Sequence, residues 1–374
     1  MRKILIFYGS YGAGHFSAAR SIKEYIENNY ADTEIQIVDC IEYINKFLNK
    51  ITTKTYDRLS KSMPWAWAKV YNSSQSGPLS KISNKTNNIM AIKLNRLIKE
   101  FNPELIISTH PFSSQMCGYL KMKGTLNCKI ATVLTDYAPH NQWLVHSDFI
   151  DYYFVAHYGM KKSLEELGIS GDKIFATGIP LSNRFLAHYN KAETLEAFGL
   201  AKGKTTVLFF AGGSSHFASR NIYEIFESFI DSFPNIQLLA ITGHNPKLKK
   251  HFDKLVEVAE LEKNIKVLSF TDKVPELMSV SDLVITKPGG LTTTESLASG
   301  LPIIVINPIP GQEEENAKFL EEQQVGVWLK KDEDIKEILN NLFSDPYALK
   351  DMKIRARLLA KKNSTRDICK TMLD

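Results

Sequence analysis

Short apolar runs rich in Val, Ile and Phe recur along the chain, separated by stretches long enough for a helix. The first half offers Lys3–Tyr8, Glu34–Asp39, Leu105–Thr109, Lys129–Thr135 and Tyr152–Val155, with helical spacing over Ser17–Asn28. Thr206–Ala211, Ile236–Thr242, Ile265–Ser269, Leu283–Thr286 and Ile303–Asn307 continue the pattern in the second half. Runs of this kind, alternating with helices, predict parallel sheets covered on both faces. The halves also echo each other: "ILIFYGSYGAGHFSAARSIKEYI" and "VLFFAGGSSHFASRNIYEIFESFI" each read as strand, Gly/Ser-rich turn, His-Phe and helix. A chain of 374 residues exceeds one ordinary core. We therefore expect an α/β protein of two Rossmann-like domains, with the boundary between Gly168 and Lys204. The ligand then belongs in the cleft between them, outside the carboxyl ends of the strands.

Charge is unevenly placed. Residues 1–170 carry a net +6 and the remainder −1, and residues 43–99 hold eleven basic residues against one acid, Asp57. That block contains "TYDRLSKSMPWAWAKVY", where Trp65, Trp67 and Tyr71 interleave with Lys61 and Lys69. Indoles favour the headgroup level of a bilayer and lysines its anionic surface, so the segment reads as a membrane-docking element. The clustering of its aromatics argues against nucleic acid. The apolar run at the start breaks at Gly9, too short for a signal peptide. No run reaches the ~18 residues of a spanning helix. The four cysteines form no Cys-x-x-Cys pair, which points to reduced thiols in a cytoplasmic protein and to no structural metal.

Three glycine turns carry the chemistry. In "FYGSYGAGHFSAA" the third glycine of a dinucleotide fingerprint is replaced by Ser17, although Asp39 stands where the ribose acid would. We favour a turn in which Gly14 clears room and His15 projects from a helix start, kept neutral by the helix dipole and able to act as a base. "ITKPGGLTTTESLASGLPIIVI" places Gly289 and Gly290 between strand and helix, where backbone N–H groups can approach an anion. Thr292 follows on that helix. A turn and a half inside it, Glu295 would repel phosphate but could accept from a ribose diol. "FFAGGSSH" supplies a second anion turn at Gly212, Gly213 and Ser214. In "PIPGQEEENAKFL", Gln312 and Glu313 offer a donor and an acceptor that suit vicinal sugar hydroxyls.

Taken together, "GAGHFSAA", "TDYAPHNQWL", "TGIP", "KPGGLTTTES" and "PGQEEENAKFL" resemble glycosyltransferase family 28, near the monogalactosyl- and processive glucosyl-diacylglycerol synthases. The likeness runs in unbroken order from Lys3 to about Arg355. It implies a GT-B fold, inversion at the anomeric carbon, no metal and no cofactor. The donor it implies is UDP-glucose or UDP-galactose and the acceptor diacylglycerol, at the inner face of the cell membrane. It implies domains at 1–170 and 171–345, with the segment 346–374 forming a helix that returns to the first domain. By the same likeness Gly213, Ser214, Ser215, Gly289 and Gly290 meet the phosphates, Glu295 the ribose, Phe270 and Thr271 the uracil, and Gln312 and Glu313 the sugar. His15 and Asp136 fall at the catalytic positions, with His140 and Trp143 on the acceptor side. Relatives often carry Arg-Pro after "GIP", where this chain reads Ser182-Asn183, so a phosphate contact is missing unless Arg184 supplies it. A lipid-linked peptidoglycan precursor as acceptor, a sugar-nucleotide epimerase and a non-catalytic UDP-sugar-binding protein are the competing readings.

Overall fold

The computed structural model describes residues 1–10, 13–44, 78–212, 220–345 and 347–374, with backbone alone for 78–89 and 220. The basic segment 45–77, Trp65 and Trp67 within it, and Gly213, Ser214 and Ser215 lie outside the described residues.

Two six-stranded sheets, parallel throughout, form two Rossmann-like domains. The first joins β1 (Arg2–Tyr8), β2 (Thr33–Asp39), β3 (Leu105–Ser108), β4 (Lys129–Val133), β5 (Tyr152–Phe154) and β6 (Ile174–Phe175) in the order β2-β1-β3-β4-β5-β6. The second joins β7 (Thr206–Phe210), β8 (Gln237–Ile241), β9 (Ile265–Leu268), β10 (Leu283–Thr286), β11 (Ile303–Val305) and β12 (Gly326–Trp328) in the order β12-β11-β10-β7-β8-β9. Central strands such as β3, β8 and β10 are buried along their whole length, which is why they read as unbroken apolar runs instead of alternating ones. β6 pairs with β5 through Ile174 and Phe175, so the first sheet extends past the expected boundary at residue 170.

Each sheet reverses its strand order once, between β1 and β3 in the first and between β7 and β10 in the second. At such a point the connecting helices leave on opposite faces and open a crevice beyond the strand ends. The loops delivered there carry His15 and His110 from the first sheet, and Gly212 with Pro288–Gly290 from the second.

The closing helix, Ser364–Leu373, lies on the first sheet. Ile368, Cys369 and Leu373 share a buried cluster with Ile4, Ile6 and Ile22. Arg2 donates from Nη1 to the Leu373 carbonyl at 3.0 Å, and the Tyr30 hydroxyl donates to Asp374 at 2.9 Å. Thr365 grips the turn after "TGIP": its Oγ1 accepts from the Leu181 N–H and donates to the Leu181 carbonyl, both at 2.8 Å. Ile368 is fully buried, so Ile368→Ala should cost about 3 kcal/mol through the cavity it leaves. A lowered first thermal transition would register it, and an unchanged one would mean the helix is not part of that core.

Candidate active site

His15 sits in the first turns of the helix Ala13–Asn29, partly exposed to the cleft. Its Nδ1 lies 2.6 Å from the Thr109 carbonyl and 3.1 Å from the Thr135 hydroxyl. A carbonyl only accepts, so Nδ1 carries the proton and the neutral ring keeps its lone pair on Nε2. Burial lowers the imidazole to about 4, against the opposing pull of the Thr109 carbonyl. Desolvation is the leading cause. The Thr109 hydroxyl donates to the His15 carbonyl at 2.9 Å, fixing the backbone as well. His110 packs edge-on against His15 at 4.6 Å and accepts at Nδ1 from the Phe112 N–H at 3.2 Å; burial, and His15 in smaller part, hold it well below the usual imidazole range.

Beyond β4 the chain meets the second domain. A Cβ on Gly290 would overlap the Thr135 carbonyl, so the helix Gly290–Ala298 can approach this closely only with glycine at its first residue. Asn316, from the helix Gln312–Glu322, is fully buried in the same seam. Its Oδ1 accepts from the Tyr137 N–H at 2.8 Å, while Nδ2 donates to the Pro288 carbonyl at 2.9 Å and to Asp136 Oδ1 at 3.2 Å. The Tyr137 hydroxyl pairs with Thr294 Oγ1 at 3.0 Å. His157 stacks on Phe319 at 4.5 Å and hydrogen-bonds the Tyr137 carbonyl at 2.9 Å. Burial raises the Asp136 carboxyl above the usual range, and the Asn316 bond partly offsets it.

On the second-domain side, Gly289 caps the helix Gly290–Ala298 with no side chain, and the nearest atom to a Cβ there is Glu313 Oε1 at 4.0 Å. There is therefore room beside Gly289 at the helix start, where an anion could be met by backbone N–H groups. Thr292 is half-buried on its first turns. Glu295 is half-buried, and its carboxyl has no hydrogen-bond or salt-bridge partner among the described residues; burial pushes it up to about 8. Burial thus favours the neutral form, which repels no phosphate and can donate as well as accept. Glu313 is also raised, by burial first and by Asp136 in smaller part, while Lys287 opposes. Its Oε2 accepts from the Ile309 N–H at 2.6 Å, and Gln312 opens the same helix beside it. Phe270 is 63% exposed and stacks on His244 at 4.5 Å, nearly coplanar. Thr271 Oγ1 accepts from the Lys273 N–H at 3.1 Å, shaping the turn beside it. Arg184 is committed elsewhere, donating to the Asp272 carbonyl at 2.7 Å and facing Glu276 at 3.6 Å.

Three expectations are corrected by this arrangement. Gly14 does not clear acceptor space: a Cβ there would meet Leu291 at 3.3 Å, so it serves the contact between domains. Trp143 is 2% exposed within the core and offers no ring face to an acceptor. His140 is 6% exposed and caps a short turn, its Nδ1 accepting from the Gln142 N–H at 3.0 Å. Asp39, at the acid position of the dinucleotide fingerprint that Ser17 breaks, is engaged locally: it accepts from the N–H groups of Ile41 and Glu42 at 3.0 and 3.1 Å and from Ser10. Sequence reasoning passed over His110, His244 and Asn316. For His110 there was a signal, a polar residue before Pro111 at a helix start. Asn316 offered only an amide inside a run of helix-forming acids.

Comparison with known proteins bears on this geometry. The profile for "Monogalactosyldiacylglycerol (MGDG) synthase" matches residues 15–181, and that for the glycosyltransferase family 28 C-terminal domain matches 207–372. A processive diacylglycerol beta-glucosyltransferase of Bacillus pumilus is 30% identical over 381 residues, covering all of this chain and 95% of its own. Among solved structures, MurG of Acinetobacter baumannii superposes with a TM-score of 0.65 at 14% identity, covering 99% and 98% of the two chains. The UDP-GlcNAc 2-epimerase of Neisseria meningitidis, bound to UDP-GlcNAc, gives 0.64 at 16%, covering 99% of each. These structural likenesses establish the GT-B fold.

The two glycines of the Pro-Gly-Gly turn should respond differently to a methyl group. Gly290→Ala should force the Thr135 carbonyl away, costing about 1–3 kcal/mol and enlarging the radius of gyration in small-angle scattering. Gly289→Ala has room and should leave both unchanged. Equal behaviour of the two variants would show that the seam does not depend on that contact.

Proposed function

Because the chain belongs to glycosyltransferase family 28, among the monogalactosyldiacylglycerol synthases and processive diacylglycerol beta-glucosyltransferases, we propose that it transfers a hexose from UDP-glucose or UDP-galactose to diacylglycerol, with inversion. One observation carries this reading: a neutral histidine, its Nε2 lone pair free of the proton, stands in a cleft whose opposite wall is a glycine-capped helix N-terminus. A base on one side and a site for a leaving diphosphate on the other are what an in-line displacement needs.

In this reading His15 Nε2 takes the proton from the lipid hydroxyl. The freed oxygen bonds to the anomeric carbon as the bond from that carbon to the diphosphate oxygen breaks. The N–H groups at the start of Gly290–Ala298 stabilise the charge gathering on UDP. Glu313 and Gln312 hold the sugar, Glu295 bonds the ribose diol, and the base lies by Phe270 and Thr271. Asp136 orients or assists the base. No metal or cofactor enters the proposal. Among the described residues no helix is long and apolar enough to cross a membrane, and the basic, tryptophan-bearing segment is the proposed means of reaching a lipid acceptor at the membrane surface.

The deciding assay offers UDP-glucose or UDP-galactose with diacylglycerol in anionic liposomes and reads lipids by mass spectrometry. A hexosyl lipid formed from one donor is expected. UDP binding with no lipid product from either donor would overturn the acceptor assignment. His15→Ala should lower kcat by about 10²–10⁴ while UDP affinity stays unchanged; near-normal turnover would rule the base out. Because the folded-state imidazole is depressed, it stays neutral as pH falls through 6.5. The activity limb belonging to His15 should therefore appear only as pH approaches about 4, whereas a limb near 6.5 that disappears in His15→Ala would contradict the geometry.

A further inference from the structure

Asn316 comes from the donor-side domain, yet two of its three hydrogen bonds reach the acceptor-side domain. Those two go to the Asp136 carboxylate and to the neighbouring Tyr137 N–H, while the third returns to the Pro288 carbonyl beside the Gly289 cap. Every polar atom of the amide is thus used in a fully buried position, and its orientation is dictated, since Oδ1 must face an N–H and Nδ2 two oxygens. We propose that Asn316 is a positioning residue for the transfer: its amide holds the Asp136 carboxylate in the cleft and ties that orientation to closure of the two domains. Any separation of the sheets breaks the bonds to Asp136 and Tyr137 together, so the carboxylate is set only in the closed form. The proposal rests on the transferase reading above.

The surroundings of Asp136 define what a variant would do. Glu313 faces it from the helix that bears Asn316, with Lys287 next to Glu313. His15 adjoins it through the Thr135 hydroxyl, and His157 approaches through the Tyr137 carbonyl. With two carboxylates already close, the Asn316 Nδ2–H is the only hydrogen bond to Asp136 found among the described residues. Asn316→Leu keeps the bulk and removes all three bonds. Asn316→Asp keeps the acceptor for Tyr137 but sets an oxygen against Asp136, so that the two carboxyls must share a proton.

The test uses the full chain and three readouts. In Asn316→Leu, kcat should fall on the order of 10²-fold, as for a displaced reacting group, with KM for the UDP-sugar nearly unchanged. In Asn316→Asp, activity should fall as pH rises and the shared proton is lost, a basic limb absent from wild type. Hydrogen exchange at the Tyr137 amide should accelerate at least ~10-fold in Asn316→Leu and stay slow in Asn316→Asp, with no substrate required. Wild-type kcat in Asn316→Leu, or a wild-type pH profile in Asn316→Asp, overturns the proposal. If wild-type protein makes no hexosyl lipid, the acceptor reading fails separately. The exchange result then still decides, since an unchanged Tyr137 amide in Asn316→Leu would show that the latch does not exist.

Discussion

The structure depends on a backbone-to-backbone approach between two sheets that are far apart in sequence. The Thr135 carbonyl at the end of β4 lies where a Cβ on Gly290 would be, so the donor-side helix starts against the acceptor-side strand with nothing between them. The cleft is defined by this contact. His15, Asp136 and Tyr137 come from one sheet; Gly289, Glu295, Glu313 and Asn316 come from the other. The relative placement of the two sets is decided at the seam. Leu291 against Gly14 and Phe319 against His157 and Tyr137 fill it with apolar contact. Asn316 satisfies the polar groups that such contact would otherwise strand.

Burial pushes several of the buried titratable groups towards their neutral forms, and the two kinds pull stability in opposite directions. His15 and His140, both lowered to about 4, reject protons in the folded state. Folding therefore weakens as pH falls from about 6.5 towards 4, where the unfolded chain binds protons that the native one does not. Glu295, pushed up to about 8, retains a proton that the unfolded chain releases, so it weakens folding as pH rises from about 4.5 towards 8. Both arise from burial of an ionisable group. In the transferase reading, a ribose diol would give this buried carboxyl of Glu295 the hydrogen-bond partners it lacks among the described residues.

Much of this was legible in the sequence because buried parallel strands must be apolar runs, and ten of the twelve strands among the described residues announce themselves that way. β6 and β12 did not, since "IF" and "GVW" are too short to carry a pattern. The glycine turns were visible because a turn from strand to helix needs special residues whatever their use. Their uses were less legible. Gly290 and Gly14 are glycines because of atoms in the other domain, and no local pattern reports a contact across some 150 residues or more. Trp143 was read as a contact residue because an aromatic beside a motif can serve either surface or core; depth decides, and depth is a tertiary property. Asn316 was missed for the same reason, its three partners being Asp136, Tyr137 and Pro288.

The chain crosses between the domains twice, and the crossings are tied together. The linker turns at Gly178, whose φ of +97° and lack of a Cβ admit Lys361 alongside. One turn on, Leu181 exchanges both backbone hydrogen bonds with the Thr365 hydroxyl. Two segments bound side by side resist relative twist and sliding far better than one, and bend together. Such a double crossing favours opening and closing of the cleft over other relative motions. The Asn316 and Gly290 contacts lie across the cleft seam, so an opening of the cleft would break them. That is why a hydrogen bond of 3.2 Å to Asp136 can carry information about the state of the whole molecule.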